Sequence, residues 1–223
     1  MRKTSILTCT LFATALVFAL PAYADTFITF SQPAAPYTTS TIDYGGGNGL
    51  GVFEGSDTLT TLGPFTFDAA MDELTVSATW GSWNTPPAVE SGTPNVLYAV
   101  SDNDLTIAVS GSPTIVGFEV EPDDDVLEPI SAAFYDGANL IDTISLNVNG
   151  DGGALLFALE DTTVGGSISS VVVTDDTIPD GGIALAQLRA NAGTPPVPEP
   201  GTFSLLGLGM LGLAKRAYRM IKA

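Results

Sequence analysis

Carboxylates are the one plentiful reactive group in this 223-residue chain, and all 25 Asp and Glu lie from Asp25 to Glu199. Paired acids at a set separation are the machinery of glycoside hydrolysis. Nothing in the spacing singles out a pair, and neither Asp-Thr-Gly nor Asp-Ser-Gly of an aspartic protease occurs. The same stretch holds no Lys, His or Cys, and its single base is Arg189. That removes the imidazole of Ser-His-Asp and Cys-His arrangements, the usual zinc ligands and a Schiff-base lysine. One arginine makes no basic patch for phosphate or nucleic acid, so no nucleic-acid partner is expected. The glycine run at residues 45–49 has neither the following helix nor the Lys of a phosphate loop. No catalytic residues are assigned, and the chain is expected not to be an enzyme.

Binding chemistry has three candidates. Asp123, Asp124 and Asp125, near Glu121 and Glu128, offer hard oxygen ligands to calcium, against the plainer reading of a solvated acidic loop. Asn147-Val148-Asn149-Gly150-Asp151-Gly152 invites comparison with a calcium loop, but position 12 is Ala158 instead of a bidentate Glu, which favours a hairpin turn. Trp80-Gly81-Ser82-Trp83 carries two indoles. Trp80 continues an apolar alternation and is expected in the core. Trp83, on an expected loop with Asn84, is the candidate platform for a sugar ring. No cofactor is expected other than calcium.

The elements that must position these groups read as strands. Leu74, Val76, Ala78 and Trp80 alternate with Thr75, Ser77 and Thr79, the pattern of a half-buried strand. Similar runs occur at 26–30, 95–100, 105–109, 114–120, 130–135, 140–148, 154–159, 168–173 and 183–188, separated by turn formers such as Asp136-Gly137 and Asp180-Gly181-Gly182. About ten short strands predict an all-β body, a two-sheet β-sandwich of jelly-roll type. Residues 25–61 are less regular and are expected to supply edge strands or an arm.

The two ends read as addresses. Arg2 and Lys3, an apolar run from Ile6 to Leu20, and small residues at Ala22 and Ala24 form a signal peptide cut after Ala24, making the Sec machinery and signal peptidase partners. Cys9 lies inside the apolar run with no small-residue box before it, so lipidation is not expected. The exported body then has no cysteine, and no disulfide can staple it. Near the other end, residues 202–214 are uncharged and are followed by Lys215, Arg216, Arg219 and Lys222. As a helix those residues reach ~20 Å, short of the ~30 Å hydrocarbon core unless flanking residues extend them. The basic residues predict a terminus retained in the cytoplasm.

Val197-Pro198-Glu199-Pro200, a Gly/Leu-rich apolar segment and a terminal basic cluster together resemble the PEP-CTERM sorting signal. The resemblance implies recognition by exosortase, cleavage near the Pro-Glu-Pro, a transient stay at the inner membrane and delivery to the cell surface or exopolysaccharide matrix. Two prolines hold this segment extended and accessible outside the bilayer. The pattern of strand ends and glycines from Leu105 to Arg189 also resembles the β-sandwich common in PEP-CTERM proteins, which is distantly similar to galactose-binding-like jelly rolls. The expected division is residues 1–24 signal peptide, 25–193 β-sandwich, 194–201 Pro-rich linker with the motif, and 202–223 transmembrane segment and basic tail. The leading expectation is a non-catalytic, matrix-associated structural protein in contact with polysaccharide. A carbohydrate-binding module and a glycoside-active enzyme are the alternatives.

Overall fold

The computed structural model describes residues 26–45, 58–99, 104–175 and 182–193. Ala22, Ala24, the motif Val197 to Pro200 and the basic cluster from Lys215 to Lys222 lie outside them. Among the described residues, no helix is long and apolar enough to cross a membrane.

The body is all-β. In chain order the elements are β1 (Phe27–Phe30), α1 (Tyr37–Ser40), β2 (Ile42–Asp43), β3 (Thr58–Leu62), β4 (Phe65–Thr75), β5 (Asn95–Ala99), β6 (Asp104–Val109), β7 (Ile115–Pro122), β8 (Leu127–Asp136), β9 (Asn139–Asn149), β10 (Leu155–Asp161), β11 (Ser170–Asp175) and β12 (Ile183–Ala190). The strands are hydrogen-bonded in the order β1-β10-β7-β12-β5-β4-β6-β11-β8-β9, with β2 on β12 and β3 on β4. The irregular N-terminal region thus does supply peripheral strands.

Where two separate sheets were expected, the hydrogen bonding is continuous, and β4 is the reason. It pairs with β6 through Phe65, Thr66 and Phe67 and with β5 through Asp72 to Thr75. Between those stretches its ladder with β3 jumps from Leu59 opposite Met71 to Thr61 opposite Thr66. Such an irregularity bends a strand and carries it around a corner between two sheet faces. The sheet therefore rolls on itself, bringing β9 at one end against β7, β10 and β1 at the other. Phe118 of β7 and Phe134 of β8 stack across the interior with centroids 6.3 Å apart.

The core fills this roll by period-2 alternation: Leu105, Ile107 and Val109 of β6, Val171 and Val173 of β11, and Val116, Phe118 and Val120 of β7 all point inward. At ~1.5–3 kcal/mol for each fully buried large apolar side chain, this burial stabilises a body without disulfides. β12 changes face midway. Ile183 and Leu185 enter the core, Gln187 takes φ 50 at a bulge, and Leu188 and Ala190 then occupy the inward positions. One extra residue inverts the alternation.

The strand expected through Trp80 ends early, at Thr75. Ser77 adopts φ 66, and the Thr75 carbonyl accepts the amides of Ala78, Thr79 and Trp80. A tight turn therefore carries the alternating residues. From it the chain runs over the outer face of the sheet, where Val76, Trp80, Trp83 and Val89 pack on Val96, Ala154, Ala184 and Ala186. Beside this second cluster, Tyr37 of α1 covers Ile115, Leu156 and Ala158. Both faces of β7 and β12 are consequently buried.

Candidate functional site

Covering the outer face of β7 traps its carboxylates. Glu119 and Glu121 alternate with Phe118 and Val120, so they point out of the core and under the segment that follows β4. Glu119 accepts a hydrogen bond from the Trp83 indole at 2.9 Å and from the Glu90 amide at 2.6 Å. Burial pushes its carboxyl up to about 7, with those two donors holding it back. Glu121 accepts the Gly152 amide at 3.0 Å, while its second oxygen has no hydrogen-bond partner. Burial lifts this carboxyl to about 8.

Arg189 closes the arrangement. It holds Glu90 with two bonds, from Nε at 2.5 Å and Nη2 at 2.7 Å, and Nη2 lies 3.9 Å from Asp43. The single base of the body therefore ties β12, the overlying segment and β2 together.

At the end of this covered face lies a cleft of about 290 Å³. One wall is an aromatic pair, Trp80 and Tyr98, with ring centroids 5.2 Å apart and Leu74 beside them. Asp123, Asp125, Asp151 and Ser82 supply polar groups. Tyr98 donates its hydroxyl to Asp123 at 2.5 Å, and Ser82 donates to Asp151 at 3.3 Å. Burial, then the Asp123 carboxylate, holds the Tyr98 phenol well above its ordinary value, so it remains a donor. The turn after β9 forms the opposite lip. Any side chain at Gly150 would collide with the backbone of Asp124, so only glycine lets this turn approach so closely. Asn147 to Gly152 end in a tight turn, with the Gly153 amide donating to the Asn149 carbonyl at 3.0 Å, but β9 pairs with β8 and β10 with β7 and β1, so the expected hairpin is a turn between strands that do not pair.

The candidates from the sequence are redistributed. Trp83 was expected to be an exposed platform, but it is 5% exposed. Its ring packs into the outer-face cluster and its nitrogen is committed to Glu119. Asn84 is equally occupied, donating to the Ala154 carbonyl at 3.0 Å and accepting the Thr85 amide at 2.8 Å. Trp80 is buried as expected, yet it also walls the cleft. Asp123 and Asp125 both line the cleft. Among the described residues no three acidic side chains are grouped as a metal ion would require, so Asp123, Asp124 and Asp125 do not converge. Sequence reasoning missed Tyr98, Glu119 and Glu90, none of which belongs to a local motif, while Asp151 stood in the segment compared with a calcium loop.

The PEP-CTERM protein-sorting motif matches residues 196–219, so the chain carries that sorting signal. No curated protein matches the sequence. Among solved structures, the body is similar to the K1 cleaved adhesin domain of Lys-gingipain from Porphyromonas gingivalis W83, at 10% identity and TM-score 0.38 over 69% of this chain and 99% of that one. It is also similar to TmCBM61, solved with beta-1,4-galactotriose, at 10% identity and TM-score 0.35 over 58% of this chain and 88% of that one. A third likeness is the enzymatically active domain of bacteriophage CBA120 tailspike protein 4, at 17% identity and TM-score 0.32 over 57% of this chain and only 19% of that one.

Proposed function

We infer that this is exported cargo of an exosortase: a non-catalytic β-sandwich-type body, held briefly at the inner membrane by its tail and released to the cell surface or exopolysaccharide matrix. The observation that carries the reading is the sorting motif at residues 196–219, with Val197-Pro198-Glu199-Pro200 at its start and a basic cluster at its end. A structural role is supported by the inventory of the body, whose 25 acids and single arginine suit a solvated acidic module better than any nucleophile-and-base chemistry. Calcium shared between these carboxylates and matrix polymer is part of the same proposal.

Intact mass of the protein from membrane, surface and medium fractions tests it. The expected surface or medium species lacks residues 1–24 and ends near Pro198 to Pro200. Glu199→Ala is expected to leave the uncut precursor in the membrane fraction. An uncut chain in every fraction, or normal release of Glu199→Ala, overturns the reading.

A further inference from the structure

We propose that the cleft walled by Trp80 and Tyr98 is a saccharide site that excludes acidic sugars and prefers a ring bearing an amine. Its volume of about 290 Å³ is at the lower end of ordinary small-ligand sites. The aromatic pair gives one wall an apolar surface of the kind on which the C–H face of a pyranose packs. Asp123, Asp125 and Asp151 line the same cleft as hydrogen-bond acceptors, and Ser82 adds a hydroxyl. Tyr98 and Ser82 orient two of these carboxylates from inside the cleft, at 2.5 Å and 3.3 Å. The site is preformed, because the turn at Gly150 can lie against Asp124 only without a side chain.

Charge fixes the selectivity. No base lines the cleft, and Arg189 is engaged with Glu90 and Asp43. A uronate would meet three carboxylates without a counter-charge, whereas an ammonium group gains charge-assisted hydrogen bonds and the attraction of the aromatic wall. The proposal deepens the matrix reading and takes from it only the choice of oligosaccharide probes.

Calorimetric titration of the full-length chain in mild detergent, with β-1,4-linked hexamers of glucosamine, glucose and galacturonate, tests it. The glucosamine hexamer is expected to bind about tenfold more tightly than the glucose hexamer, with no heat from galacturonate. Asp125 and Asp151 are exposed. Asp125→Asn and Asp151→Asn should each weaken glucosamine binding about tenfold at unchanged melting temperature. Tyr98→Phe, which keeps the ring and frees Asp123, should weaken it less. Asp104→Asn with Asp142→Asn removes two acids outside the cleft and should leave binding intact. Equal losses in that control pair would show attraction to bulk charge and overturn the proposal. Absence of any binding, or galacturonate binding best, would also overturn it. None of these readouts depends on where the protein is delivered, so a negative result leaves sorting standing and a sorting failure leaves the cleft standing.

Discussion

Glu119 and Glu121 make the body sensitive to pH in a direction opposite to that of paired surface acids. Each has a native-state value above the ordinary 4.5, about 7 and about 8 respectively, chiefly because burial penalises the charged form. The folded state then holds their protons more tightly than the unfolded state does. The resulting stability is full below about 4.5 and is lost as pH rises through about 7 for Glu119 and about 8 for Glu121. With no histidine in the chain, little else titrates between pH 5.5 and 8.5. The melting temperature is expected to fall across that window, and Glu121→Gln should flatten part of the slope. A flat or rising profile in scanning calorimetry would contradict this. Trp83 gives a second test at the same scale. Trp83→Phe should cost ~1–2 kcal/mol by removing the donor to Glu119, and Trp83→Ala ~3–5 kcal/mol by also emptying the outer-face cluster. Denaturant titration of both variants separates the hydrogen bond from the packing.

At the scale of elements, the segment between β4 and β5 stays on the sheet through a few long-range contacts. Arg189→Lys keeps the charge but loses the two-pronged grip on Glu90, and is expected to cost roughly 1–2 kcal/mol and to hasten proteolysis within residues 76–94. Deleting Gln187 should cost little, since it removes the extra residue and leaves Leu188 and Ala190 facing inward by plain period-2 alternation after Ile183 and Leu185; a large drop in the unfolding midpoint would refute the role given to the bulge. These elements also mark how far the sequence is legible. From β5 onward the strands are bounded by turn formers and most alternate, and their positions follow from pattern alone. β3 does not, because Thr58–Leu62 is largely threonine; the first half of β4 does alternate, with Phe65, Phe67 and Met71 inward and Thr66, Asp68 and Ala70 outward, and its pattern is legible. Trp83 misleads because a Trp beside Asn and prolines looks like a loop tip, while its acceptor is 36 residues away. The cleft is illegible for the same reason: its walls come from the turn after β4, from β5, from the start of the β7–β8 loop and from the turn after β9.

For the whole molecule the governing quantity is charge. One arginine against 25 acids leaves residues 25–199 at a net −24, a self-repulsion that ions must screen. Because no three acids among the described residues are grouped closely enough to hold a metal ion, relief should be diffuse. Millimolar calcium and magnesium at matched ionic strength are expected to raise the melting temperature by similar amounts. An effect of calcium alone would point to a specific site, and no effect of either would remove the screening argument. The position of the one interior base has a practical outcome for anyone looking for the protein. From Lys3 to Lys215 trypsin has a single peptide bond to cut, after Arg189, whose side chain is only 12% exposed and pinned to Glu90. Enzymatic shaving of intact cells should leave the body whole, and a standard tryptic digest yields one fragment too large to sequence well. Digestion at Asp or Glu will make the protein visible.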